Sequence, residues 1–396
     1  EHAESALDCP HCERLSLRLS RKALFTEGAF TSVPRGRSGA AAALVGFVTG
    51  SIGGNGDGDR TSLRPPFNGV FPTLVVPEQG LVMEQEVDTL LRKEAIEVVP
   101  PQDRESGFYS RYFIVPKKDG GLRPILDLRP LNRSVMRLKF KMLTVSQVVS
   151  QIRSEEWFVT IDLKDAYFHV SILPRHRKFL RFAFRGKAYQ YRVLPFGLAL
   201  SPRTFTKCVD AALAPLRFQG IRILNYIDKW LILAQSEQTA VQHRDVVPAH
   251  MKELGLRLNT KKSVLSPLQR TTYPGVVWDS TTMQARLSPA RIESILTAVA
   301  RVKEGRSLTV KQFQQLLGLM AAASNVIPFG LLYMRPLQWC LRTKGFSPRG
   351  NPFRMIKVTR QCLRALDMWK KPWFLSFTSW HGTHGIYKNK EEPPLY

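Results

Sequence analysis

Two short apolar runs constrain this chain more than any other feature. Trp157–Ile161 is too short for a stable helix, is strongly apolar and leads directly into Asp162. Trp230–Ala234 is its counterpart, and follows Arg222–Tyr226 with only Ile227-Asp228-Lys229 between the two. Apolar runs of this length, rich in β-branched and aromatic residues, read as strands. Each carboxylate then stands at a strand end or a tight turn. If the strands are neighbours in one sheet, Asp162 and Asp228 face each other across a gap that a pair of divalent ions could fill. Phosphoryl chemistry asks this of carboxylates. Taken singly, either aspartate is an ordinary turn residue.

The flanking pattern mixes strands and helices. Glu84–Val99 places Val87, Leu90, Leu91 and Ala95 on one helical face. Ser110–Val115 and Leu122–Leu128 read as the arms of a hairpin with a basic tip, and Phe179–Phe184 and Ala188–Val193 as a second hairpin around Arg185-Gly186-Lys187. Ser201-Pro202 opens a helix to about Leu213, and further helices are expected over Gln238–Leu254, Ser288–Val302 and from Thr309 to about Ala323. Strands mixed with helices, then mostly helices, predict an α+β domain with a helical extension.

Lys and Arg number 58 and Asp and Glu 32, a net charge of +26. That excess runs along the whole chain and points to a polyanionic partner, nucleic acid before an anionic membrane surface. The longest apolar stretch, Ala40–Val48, is about half of the ~20 residues a membrane span needs. Five scattered cysteines do not make a disulfide framework and fit a reducing, intracellular compartment, nuclear or cytoplasmic. Cys9-Pro-His11-Cys12 offers three zinc ligands without a second pair at finger spacing, so zinc and two free thiols both stay open.

The ordered motifs carry more. Val159–His169 (VTIDLKDAYFH) resembles the first catalytic motif of reverse transcriptases, and Leu194–Pro202 (LPFGLALSP) their template- and nucleotide-positioning motif. Tyr226-Ile-Asp-Lys229 resembles the Tyr-x-Asp-Asp turn with its last residue changed. Phe113–Asn132 is similar to the fingers hairpin, and Leu254–Lys262 and Tyr273–Trp278 stand where the fourth and fifth motifs belong. Within that family the chain is most similar to the DIRS-like (tyrosine-recombinase) retrotransposons of animals, and the segment around Cys9–Cys12 is similar to the end of their gag-like region.

The resemblance implies an α+β right-hand polymerase fold: a Gly-rich, disordered remnant over 1–64, fingers and palm with an antiparallel palm sheet over 65–280, a helical thumb-like region over 281–345, and a basic segment and frayed tail over 346–396. It implies RNA-directed DNA synthesis with RNA template, DNA primer and dNTPs as partners, and Mg2+ (or Mn2+) as cofactor. Asp162 and Asp228 would be catalytic and hold the metal, with the Leu163 carbonyl completing the shell. Lys117 and Arg123 would grip the triphosphate. Asp165 and Ala166 would act through backbone groups, Tyr167 would exclude a 2′-hydroxyl, and Phe196 and Gly197 would lie near the base pair. Lys261 or Lys262 would protonate the leaving pyrophosphate. Acidic residues for a ribonuclease H domain are not seen after Asp367 beyond Glu391 and Glu392, so that activity is not expected.

The chain departs from the family pattern at the costliest position. Lys229 stands where a second aspartate is expected, which changes the local charge by +2. An ammonium a few ångströms from a dication is repelled by an energy on the order of several kcal/mol at an effective dielectric of ~20, and each 1.36 kcal/mol on a barrier is about tenfold in rate. The expectation is a polymerase that is weak or inactive; a non-catalytic nucleic-acid-binding module and a mobile-element relic are the alternatives. Pro274 is a second departure, expected to remove a ladder donor from the fifth motif.

Overall fold

The computed structural model describes residues 65–376, apart from 117–119, 137, 304 and 344–349. The Cys9/Cys12 pair, the Gly-rich stretch, Lys117 and the segment after 376 therefore lie outside the described residues.

In chain order the described α-helices of six residues or more are α1 (Pro77–Arg92), α2 (Arg129–Ser134), α3 (Val145–Gln151), α4 (Ser201–Phe218), α5 (Glu237–Glu253), α6 (Pro289–Ala300), α7 (Val310–Ala323), α8 (Gly330–Thr343) and α9 (Arg360–Trp369). The strands begin with β1 (Ile96–Val98), β2 (Tyr112–Pro116), β3 (Leu122–Leu126), β4 (Trp157–Asp162), β5 (Arg181–Phe184), β6 (Lys187–Tyr191) and β7 (Arg222–Tyr226). They continue with β8 (Lys229–Ala234), β9 (Val264–Leu268), β10 (Arg270–Thr272), β11 (Val276–Asp279), β12 (Gln284–Leu287), β13 (Ser307–Thr309) and β14 (Met355–Lys357). No helix among the described residues is long and apolar enough to cross a membrane.

The chain divides into two compact units. The first comprises residues up to Lys141 with Leu163–Pro215 and Pro248–Leu258. It holds the β2–β3 hairpin and the three-stranded sheet β1-β6-β5. The β5–β6 turn, Arg185-Gly186, has positive φ at both residues, the geometry a two-residue hairpin favours. The helix predicted over 84–99 differs from what forms. It starts at Pro77, whose fixed φ suits a first helical position, and stops at Arg92; Glu94 then takes φ +54°, and Ile96–Val98 pairs with β6.

The second unit comprises Met142–Asp162, Leu216–Val247 and the residues from Asn259 onward. Its main sheet has the order β7-β8-β4-β9, antiparallel at every step. The two apolar runs form neighbouring strands at the middle of this sheet: β4 and β8 are flanked on both sides, while β9, with Pro267 inside it, takes an edge. The same unit holds a second sheet, β10-β11-β12, the β13–β14 pair, and helices α3 and α6 to α9. One continuous core runs from Val148 and Phe158 through Leu231, Trp278 and Phe313 to Trp369 and Leu375. The α7 helix begins where predicted, because the Thr309 hydroxyl accepts from the Gln312 N–H and the Gln312 side chain answers to the Thr309 N–H.

Candidate active site

In the second unit β4 and β8 run antiparallel, with Asp162 directly opposite Lys229 and Tyr226 opposite Lys229 in the adjoining ladder. The β7–β8 connection is therefore a two-residue turn, Ile227-Asp228, and it presents Asp228 next to the end of β4. The topology inferred from the two apolar runs thus brings Asp162, Asp228 and Lys229 to one sheet end.

Asp162 is 4% exposed, and Oδ2 accepts a hydrogen bond from the Lys229 ammonium at 2.7 Å. Lys229 keeps half of its side chain in solvent. Asp228 is half-buried and its carboxyl is pushed above its ordinary pKa, first by burial and then by the Asp162 charge, with Lys229 and Lys262 acting in the other direction. The departure seen in the sequence thus has a definite geometry: the ammonium is joined to the carboxylate that the resemblance assigns to metal.

That donor set does not fit a pair of divalent ions. Asp162, Asp228 and Lys229 carry one net negative charge, one carboxylate oxygen is already taken by a cation, and no group of three or more His, Cys, Asp or Glu gathers among the described residues. The magnesium expected from the resemblance therefore lacks a matching shell in this sequence.

Residues to which no role was given in the sequence reading hold Asp162 in place. Its N–H donates to Ser263 Oγ at 3.0 Å and its carbonyl accepts from the Asn259 N–H at 2.7 Å, while Ser263 Oγ donates to the Asn259 carbonyl at 2.8 Å. Tyr273, its ring fully buried, directs its hydroxyl to the carbonyls of Leu224 (3.1 Å) and Lys229 (3.3 Å), one on each arm of the β7–β8 hairpin. The Trp230 indole donates to the Ile227 carbonyl at 3.2 Å. Ile227 has φ +53°, a strained setting for a β-branched residue, found where surrounding contacts enforce it. Lys261 and Lys262 are both exposed, and Lys262 acts on the Asp228 charge. Pro274 and Gly275 (φ +74°) form a turn outside the paired residues, since Thr272 pairs with Val277. The expected loss of a ladder bond at Pro274 is thus corrected: Pro followed by a positive-φ Gly is suited to this turn.

The residues assigned to the incoming nucleotide lie in the first unit, Lys117 outside the described part. Arg123 is exposed on β3 opposite Val115, and Leu163 is buried and bridged to Leu258. Asp165 takes φ +51°, and its carboxylate pairs with Lys93 at 2.9 Å. Its carbonyl accepts from the Phe168 N–H and that of Ala166 from His169 Nδ1. Tyr167 is buried with its ring 4.9 Å from that of Phe196 and 5.6 Å from that of Phe205; Phe196 is 57% exposed. Gly197 has φ +92°, which its lack of a side chain permits. Asn132 clamps this loop: its Nδ2 donates to the Gly197 carbonyl and its Oδ1 accepts from the Ala199 N–H, both at 2.8 Å. The sequence signal for Asn132 was its place inside a motif, where a side-chain amide can donate and accept at once, whereas Asn259 acts through its backbone.

Comparison with known proteins agrees with this geometry. Residues 115–278 match the family described as "Reverse transcriptase (RNA-dependent DNA polymerase)". The genome polyprotein of Petunia vein clearing virus is 26% identical over 299 residues, covering 74% of this chain and 13% of that polyprotein. The Intracisternal A-particle Pol-related polyprotein of mouse is 28% identical over 269 residues, 64% of this chain and 28% of its own length. The foamy viral protease-reverse transcriptase, in a structure with double-stranded DNA, superposes with a TM-score of 0.61 at 21% identity over 81% of this chain and 51% of the viral one. The chain thus spans a small part of the polyproteins and about half of the viral enzyme. Its fold is the α+β fingers, palm and thumb fold of that polymerase, and residues 115–278 are similar to the reverse transcriptase family found in retroelement and retroviral Pol polyproteins.

Proposed function

We propose that this chain engages an RNA template and a DNA primer as a reverse transcriptase does but, as its sequence stands, does not extend the primer. The ion pair between Lys229 and Asp162 carries the reading. The ammonium occupies the carboxylate oxygen that would otherwise face a cation, and adds positive charge where divalent ions would have to enter. The net charge of +26 supports polyanion binding that does not need the metal, and such binding weakens with salt in proportion to the phosphates neutralised. Arg123, Tyr167, Phe196 and Gly197 are the nucleotide-side residues of this reading, with Lys117, and it places the chain with DIRS-like elements among retrotransposons, a placement supported by the wording of the motifs alone.

Primer extension on an RNA template with Mg2+ or Mn2+ tests it. The chain as it stands is expected to be inert, Lys229→Asp to extend the primer, and Lys229→Asp with Asp162→Ala to be inert again. Extension by the unaltered chain overturns the reading.

A further inference from the structure

The first unit leaves an apolar ribbon in solvent. Residues 65–76 run beside β5 before α1 begins: a parallel bridge joins Pro72 to Ala183, and the Thr73 N–H donates to the Ala183 carbonyl at 2.7 Å. Asn68 fastens the same segment to Tyr109 through both ends of its amide, at 2.8 and 2.9 Å. Thr73 is buried, and its hydroxyl accepts from the Tyr112 N–H at 3.2 Å. Extended backbone sends successive side chains to opposite faces. With Thr73 turned inward, Leu74 and Val76 point outward, 80% and 53% exposed. Leu81 continues the ribbon one turn into α1, across the helix from the buried Met83, Val87 and Leu90, and is 61% exposed. A single exposed leucine is ordinary; three neighbouring apolar side chains on a pinned backbone make a preformed surface.

Charge narrows what can cover it. Helix α1 carries Glu78, Glu84, Glu86 and Asp88 against Arg92, and Glu78 stands between Val76 and Leu81. Two nearby cations are engaged: Arg185 is paired with Glu84, and Arg111 lies over the Phe71 ring at 4.9 Å. Nucleic acid or an anionic membrane, drawn to the chain as a whole, meets like charge here, and a second copy brings a further +26. An uncharged apolar segment fits best. The chain has one in Ala40–Val48 (AAAALVGFV), nine residues without a charge and too few to fold alone. Residues 49–64 join it to the ribbon. Fully extended, those sixteen residues reach about 55 Å, and Leu74 lies at most about 30 Å from Pro65. Such a tether makes docking intramolecular, at an effective concentration on the order of millimolar, so a small contact suffices.

We propose that Ala40–Val48 docks on this ribbon in the same chain, with Leu44, Val45 and Phe47 against Leu74, Val76 and Leu81. The inference goes beyond the primer–template reading and does not depend on it.

Photo-crosslinking in the full chain tests it. Leu74→p-benzoylphenylalanine is irradiated and digested with trypsin, and the captured peptide is identified by mass spectrometry. The expected product joins position 74 to Ser38–Arg60, the tryptic peptide that contains the apolar run. Leu81→p-benzoylphenylalanine should capture the same peptide. The same probe at Glu253, exposed on α5 in the first unit, should not. Adding Leu44→Asp and Phe47→Asp to the Leu74 probe should lower the yield by about fivefold or more, because a charge is then pressed against an apolar surface. Capture of Ser38–Arg60 by neither ribbon probe, equal capture by the Glu253 probe, or a yield indifferent to the two aspartates overturns the proposal. So do joined peptides of mixed label in a mixture of isotope-labelled and unlabelled chain, which mark a second copy as the occupant, and capture of an added RNA oligonucleotide in place of the peptide. No readout involves primer extension or metal, so failure here and failure of the polymerase reading are distinguishable.

Discussion

Lys229 and Asp162 are opposed in the β4–β8 ladder, so a change at either is felt through the other. Replacing Lys229 by Asp leaves a buried carboxylate beside Asp228 with its cation gone. Breaking a fully buried pair costs about 3–5 kcal/mol; with Lys229 half in solvent the cost should be nearer ~1–2 kcal/mol. Lys229→Asp is therefore expected to melt below the unaltered chain in EDTA and to recover on adding Mg2+, while the unaltered chain does not respond. Equal melting of the two in EDTA would contradict this. A second residue sets an acid limit. His169 Nε2 accepts from the Arg257 N–H, while Nδ1 faces the Ala166 carbonyl, so the ring is neutral with its proton on Nδ1. Burial holds its pKa below the ordinary 6.5. The unfolded chain takes up the proton first, so this contribution to stability is complete above about pH 6.5 and is lost as pH falls from there through the lowered native pKa. His243, also lowered by burial, acts in the same direction. Denaturation midpoints followed from neutral pH to about pH 5 should fall less steeply for His169→Asn than for the unaltered chain.

At the scale of elements, the β7–β8 hairpin depends on Tyr273 from outside it. Tyr273→Phe removes the donor shared by the Leu224 and Lys229 carbonyls while keeping the ring, and should cost about 1 kcal/mol. A thermal melt unchanged from that of the parent would show that the hydroxyl holds nothing. The elements also show what could be read in advance. Strands β4, β7 and β8 were legible because they are dense in apolar residues, and the turn between β7 and β8 was fixed by their spacing. Strands β10 and β12 were not, because Arg-Thr-Thr and Gln-Ala-Arg-Leu are short and lack a clear apolar alternation. The α9 helix was read as a basic segment. Arg360, Arg364 and Lys370 dominated the composition there, while the stripe of Cys362, Ala365, Leu366 and Trp369 faces inward. Of the site, the two aspartates and the altered turn were visible as residues. The ion pair was not, because a lysine can extend in many directions and only the register places it opposite Asp162. The backbone anchors Ser263 and Asn259 act through contacts about a hundred residues away in sequence, which no local pattern encodes.

For the molecule as a whole, the decisive feature is the unbroken core of the second unit. It joins Phe158 and Leu231, strand residues behind the site, to Trp369 at the end of α9. Trp369 is fully buried, and Trp369→Ala should cost about 3–5 kcal/mol and lower the unfolding midpoint of the β4–β8 sheet together with that of the helices. Two separate transitions in denaturant, with the sheet unaffected, would show that the core is not one cooperative body. The same feature has a consequence for synthesis. Val148 and Trp369 share this core across more than half the length of the chain, and segments of the first unit are threaded between. At the usual translation rate of about 5–20 residues per second, the strand that carries Asp162 would wait roughly 10–40 s before its last packing partners are made. During that interval the native cover of its apolar side chains is incomplete, so the yield of folded protein should depend on chaperone supply and on translation speed well before any question of catalysis arises.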